Sequence, residues 1–162
     1  MNYTQISAMI PFYSSNGENS TCIILNDGSR IYEPQSVKKY IDHMIFSLHL
    51  DPRAIKYWTS KMIGNKLNNP LVIDNELIFL PVKFRQGIGK HDGCVGYINM
   101  KNIQSFDNHL IVLCNGEKIN NLSSKSYIEQ KQRSAQLLSY LYIEFKKKYE
   151  FMWKPFPGPS LG

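Results

Sequence analysis

Asn115-Gly116 sits between two strand-like runs, residues 110–114 and 117–119. An Asn-Gly pair between apolar runs is the strongest short hairpin signal a sequence offers. This dipeptide demands an antiparallel hairpin, and hence a sheet. The same grammar recurs along the chain. Asn26-Asp27-Gly28-Ser29 separates residues 21–25 from 30–32, and Asp74-Asn75-Glu76 separates 71–73 from 77–80. Pro70 and Pro81 bracket the latter pair. Ser14-Ser15-Asn16-Gly17 divides residues 6–12 from 21–25, and residues 94–98 read as a further strand. Short apolar runs bounded by turn residues are the signature of strands.

Helices interrupt these hairpins. Val37, Tyr40, Ile41, Met44, Ile45 and Leu48 recur by three and four, which puts them on one helical face, with Ser36 as its cap. Asp51-Pro52 reads as an N-cap followed by proline at the first helical position. The helix it opens turns Ile55, Trp58 and Met62 inward and stops at Gly64. A long helix over residues 124–149 closes the fold. Ala135, Leu138, Tyr142, Phe145 and Tyr149 form its stripe, widened by Leu137 and Leu141. Pro155-Phe156-Pro157-Gly158-Pro159 cannot continue it. Strands and helices without βαβ alternation predict an α+β fold. The expected organisation is a single domain over residues 1–150 and a flexible Pro-rich tail over 151–162.

The chain has 162 residues, 43% of them hydrophobic, enough to bury a core. No apolar stretch reaches the roughly 18 residues that span a bilayer. The first ten residues have neither the basic flank nor the apolar run of a signal peptide. A cytoplasmic protein without a membrane partner is expected. Cys22, Cys94 and Cys114 are odd in number, far apart and beside apolar neighbours, so all three read as buried free thiols.

Enzyme signals are poor. Gly87-Ile88-Gly89-Lys90 lacks the first glycine of a P-loop, His91 stands where Ser or Thr is needed, and Asp92 fills the third glycine slot of a dinucleotide fingerprint. His43, His49, His91 and His109 pair with no His or Cys at ligand spacing. No catalytic residue, metal or cofactor is expected. A Cys-His pair assembled only in space stays open as a third reading.

The formal net charge is +6, from 19 basic and 13 acidic residues. Arg53, Lys56, Lys61 and Lys66 share a stretch free of acids, and Lys83, Arg85, Lys90 and Lys101 a stretch holding only Asp92. Lys125, Lys131 and Arg133 lie early in the last helix. Lys146, Lys147 and Lys148 end it, where they complement the helix dipole. Residues 83–93 interleave Lys and Arg with Phe84, Gln86 and His91, and Gly87 and Gly89 permit close backbone approach. Such a segment is either an ordinary polar loop or an arm for a narrow minor groove.

Several segments together resemble the ComK-type competence transcription factors of Firmicutes. They are Pro70-Leu71-Val72-Ile73 with Leu77-Ile78-Phe79-Leu80-Pro81, then Tyr97-Ile98-Asn99-Met100, then the hairpin at 110–119. A fourth is Ser124, Ser126, Tyr127, Gln130, Arg133, Ser134 and Ala135. Upstream, Ser60, Gly64 and Lys66 resemble the family's Ser-x-x-x-Gly-Arg-Lys segment, with Asn65 in place of the Arg. The likeness spans residues 58–141. It implies a transcription activator of DNA-uptake genes, without cofactor or metal, that binds double-stranded AT-rich DNA through the minor groove as a dimer or tetramer.

On this reading Lys66, Lys83, Lys90 and Arg133 are phosphate contacts and Arg85 the minor-groove residue. Arg133 is alternatively an ion-pair partner of Glu129. The resemblance further implies proteolytic control by a Clp-protease adaptor that grips Phe151, Met152 and Pro155. The competing reading is a protein-interaction regulatory module that binds no DNA.

Overall fold

The computed structural model describes residues 1–86 and 93–153, with side chains through residue 148. The architecture is α+β, as the hairpin and helix signals predict. Its strands are β1 (Ile6–Tyr13), β2 (Asn19–Leu25), β3 (Arg30–Glu33), β4 (Leu71–Asp74), β5 (Leu77–Lys83), β6 (Val95–Asn99), β7 (Ile103–Asp107), β8 (Leu110–Leu113) and β9 (Lys118–Asn120). Its helices are α1 (Val37–Ser47), α2 (Pro52–Ile63) and α3 (Lys125–Trp153).

β1 to β6 form one antiparallel sheet in the order β3-β2-β1-β6-β5-β4. β7, β8 and β9 form a smaller meander. The large sheet is a central layer buried on both faces, which is why its strands read as near-continuous apolar runs. Ile73, Leu77, Phe79 and Ile23 point to one face, where Val37, Tyr40, Ile41, Met44 and Ile45 of α1 cover them. Ala8, Cys22, Ile24, Val82 and Ile98 point to the other, against Ile111, Leu113 and Ile119 of the small sheet and Ile128 of α3. Val72, Ile78 and Leu80 meet Ala135 and Leu138 further along α3. Ile6 and Met9 share the α1 face although their numbers differ in parity. A register shift between Ile6 and Ala8, a bulge, absorbs the extra residue.

The helix ends follow the chemistry of their caps. The Lys39 amide donates to Ser36 Oγ (3.2 Å), and the Arg53 amide donates to Asp51 Oδ1 (2.9 Å). Gly64, at φ 77°, ends α2 in the left-handed region. α2 turns Ile55, Trp58, Thr59 and Ile63 inward, not Met62, which is exposed. The stripe runs 0, 4, 8 from Ile55, and Ile63 competes successfully for the place assigned to Met62. Trp58 stacks edge-on with Tyr142 (5.9 Å between centroids), so α2 and α3 meet across β4 and cover that sheet edge. α3 continues beyond Tyr149 to Trp153, so Phe151 and Met152 belong to its last turn and not to a tail. Pro155 lies outside the described residues.

Of the three free thiols only Cys22 is buried. Cys94 is half-buried and Cys114 is exposed, because the latter lies at the end of β8 where the chain turns. Among the described residues, no helix is long and apolar enough to cross a membrane.

Candidate nucleic-acid interface

Antiparallel pairing gives the main sheet two chemically distinct ends. The pairs Lys83↔Val95 and Tyr13↔Asn19 put the end of β5, the start of β6, the end of β1 and the start of β2 at one end. α3 begins there as well: the Lys83 amide donates to Ser123 Oγ (3.0 Å), and the Leu122 amide donates to the Lys83 carbonyl (2.7 Å). It then runs antiparallel to β5, since Ser139 Oγ donates to the Asn75 carbonyl (3.3 Å) in the turn that opens that strand.

Three of the four ion pairs among the described residues belong to the opposite end. Arg30 pairs with Glu117, Lys101 with Glu76 (3.3 Å) and Lys146 with Asp74 (3.9 Å). The fourth, Lys147 with Glu144, lies within α3. None of Lys66, Lys83 or Lys125 is ion-paired to a described residue, and all three are exposed. Acids stand at this end too: Glu18 on the β1–β2 turn, Glu33 on the outer strand β3, and Asp107 beside Asn108, whose Oδ1 accepts the Lys125 amide.

Lys83 is thus held by main-chain bonds with its side chain directed to solvent. Lys66 is exposed on the loop that follows α2. Asn65 beside it is occupied locally: its Nδ2 donates to the Leu67 carbonyl (3.0 Å). Arg133 is exposed on α3 and forms no ion pair with Glu129. Lys90 lies outside the described residues, as do Gly87 and Gly89.

Arg85 is placed differently from an extended arm. Its guanidinium lies 3.8 Å over the Tyr13 ring, Nε–H donates to the Gly93 carbonyl (2.9 Å), and an Nη2–H donates to Asn19 Oδ1. Nη1 has no partner among the described residues. Arg85 therefore clamps both flanks of the β5–β6 connection onto the β1–β2 hairpin. No sequence signal joins Arg85 to Tyr13 and Asn19, because their meeting depends on β1 lying next to β6.

Lys131 is also displaced from expectation. With Ile128, Ala135 and Leu138 it forms the inward stripe of α3, 7% exposed, its Nζ 5.2 Å over the Tyr127 ring. Burial lowers its pKa. It is not part of a solvated basic face. Among the described residues no three His, Cys, Asp or Glu side chains gather as a metal site.

No family model, curated protein or solved structure matches this chain.

Proposed function

We propose that the protein is a DNA-binding transcription activator of the competence type, which engages AT-rich duplex DNA with the end of the main sheet that carries Lys66, Lys83 and Lys125. The supporting observation is a bias in charge: Arg30, Lys101 and Lys146 at the far end are ion-paired, with Lys118 left exposed there, while Lys66, Lys83 and Lys125 at the near end are all exposed and unpaired with described acids. Unpaired surface cations on a fixed scaffold match a polyanion whose binding releases counterions. Arg133, further along α3, extends the phosphate contacts, and Lys90 belongs to the segment that Arg85 anchors. In this reading Arg85 organises the groove-facing segment, with its own hydrogen bonds directed to protein.

The experiment is a gel shift on AT-rich and GC-rich duplexes across a salt series. Five phosphate contacts give a slope of log K against log[salt] of roughly −4 to −5, with tighter binding to the AT-rich duplex. A slope near zero on both duplexes sinks the reading in favour of a protein-interaction module.

Self-association as a dimer or tetramer is part of the proposal. Leu137 (51% exposed) and Tyr140 (62% exposed) lie one turn apart on the outer side of α3, an apolar surface that no described element covers. Control of abundance by a Clp-protease adaptor is proposed through Phe151, Met152 and Pro155. Extended docking of that motif requires the last turn of α3 to unwind.

A further inference from the structure

We infer that the cavity between α1, α2 and the main sheet is a binding site for a small organic carboxylate with an apolar body. The inference does not depend on DNA binding. The cavity holds about 430 Å³, within the ~300–1,000 Å³ of small-ligand pockets. The space is a cleft open to solvent on the side of the exposed Lys38, Lys56 and Lys66, and buried Thr59 is also part of its lining.

Its walls and its rim differ in chemistry. Val37, Ile41, Ile45, Ile55 and Leu71 supply apolar walls from both helices and the sheet, and Tyr97 adds a ring. Lys38, Lys56 and Lys66 stand at the cavity with Asp42 the sole acid among its lining residues, a positive balance suited to an anion.

One buried hydroxyl in the lining lacks a partner among the described residues. Thr59 lines the cavity, is 3% exposed, and its Oγ1 makes no hydrogen bond to a described residue. Valine has the same shape and would pack between Ile55 and Ile63 without leaving a buried hydroxyl unsatisfied, so the fold itself gains nothing from this oxygen. Asn69 also lines the cavity. Its Nδ2 donates to the Asn65 carbonyl (2.6 Å), and its Oδ1, an acceptor that an ionised carboxylate cannot satisfy, is not a contact to the ligand head group. Buried polar atoms without protein partners direct their hydrogen bonds to whatever fills the space beside them. A carboxylate accepts from the Thr59 hydroxyl and is neutralised by the lysines. An apolar body fills the aliphatic walls.

The test uses the full chain without DNA and three probes: octanoate, 1-octanol and inorganic phosphate, followed by calorimetry and thermal melting. Octanoate should bind and raise the melting temperature. Octanol, equal in length but uncharged, should bind about tenfold more weakly, the order of one lost charge-assisted contact. Phosphate should not bind. Thr59→Val should melt higher than the parent without ligand and bind octanoate about tenfold more weakly. Lys66→Gln, at an exposed position, should melt like the parent and bind more weakly. Failure of octanoate to bind, equal binding of octanol, or parental affinity in Thr59→Val and Lys66→Gln would each overturn the inference.

Discussion

The two ends of the main sheet are built from the same strands yet handle charge in opposite ways. At the far end, Arg30, Lys101 and Lys146 each find a carboxylate, and Ser7, Asn26 and Asn102 tie the two sheets together through a hydrogen-bonded cluster. At the near end, polar contacts hold the backbone of Lys83 and the guanidinium of Arg85, while the ammonium groups of Lys66, Lys83 and Lys125 stay in solvent. One end uses its side chains to close the molecule, and the other fixes its scaffold and leaves its charges outward. Rigid backbone with unneutralised side chains is the arrangement expected of a recognition surface.

The largest expected effect breaks this contrast by charge reversal. Lys66→Glu with Lys83→Glu should lower affinity for AT-rich DNA by roughly two orders of magnitude at low salt and reduce the salt slope by about two. Lys101→Glu with Lys146→Glu, at the far end, should leave both nearly unchanged. Equal losses from the two pairs, in the same gel-shift series, would erase the distinction between the ends.

The next concerns the scaffold. A Cβ on Gly96 would lie 2.6 Å from the Met9 carbonyl oxygen and 2.7 Å from Phe84 Cε2. The ring can shift, but the carbonyl belongs to β1 and cannot. Gly96→Ala should cost about 1–3 kcal/mol in urea unfolding, as overpacking does. Because Phe84 immediately precedes Arg85, the near end should suffer first, seen as loss of hydrogen-exchange protection around residues 84–86 before the far end.

Arg85→Ala sharpens the division of labour between clamp and contact. The lost cation–π contact and hydrogen bonds should destabilise the fold by about 1–2 kcal/mol. Lysine cannot reproduce the fork that spans Asn19 and Gly93, so Arg85→Lys should recover little. Unchanged urea midpoints accompanied by lost AT preference would show Arg85 to be a groove reader instead.

The smallest effect carries a sign. Burial holds the folded pKa of Lys131 below the ordinary lysine value of 10.5. Between those two values the unfolded chain binds more protons than the folded one, so stability rises with pH there and the penalty is fully present at neutral pH. Lys131→Met should therefore stabilise at pH 7 by a fraction of about 1 kcal/mol once solvent screening is allowed for. The gain should shrink as pH approaches 10.5. Paired melts at pH 7 and pH 10 measure it.

Much of the fold was legible because turn chemistry is local. Asn115-Gly116 and Asp27-Gly28 announced their hairpins, and Asp51-Pro52 its helix. β7 was missed for a physical reason. Ile103-Gln104-Ser105-Phe106-Asp107 carries two apolar residues at a spacing of three, and its register shift between Ile103 and Ser105 destroys the alternation. The choice between Met62 and Ile63 was likewise beyond periodicity: they are i+7 and i+8 from Ile55, about 100° apart, and either can complete a broad apolar stripe. The exposed lysines of the candidate site were legible as charge clusters, but the burial of Lys131 and the seat of Arg85 were not. Each depends on partners brought in from another element by tertiary contact.

The strand order also governs how the molecule must assemble. β1, which precedes β6 by most of the described sheet, is a central strand, and its inner neighbour is β6: Ala8 faces Ile98, and Asn99 Nδ2 donates to the Ile6 carbonyl across 93 residues of chain. The β1–β2–β3 hairpins therefore form early with one apolar edge open, waiting for a partner that leaves the ribosome much later. Pairings of such high sequence separation fold slowly and expose unpaired strand edges meanwhile. During synthesis the open edge of β1 is where this chain is most vulnerable to pairing with the wrong neighbour, and the arrival of β6 is the event that ends that exposure.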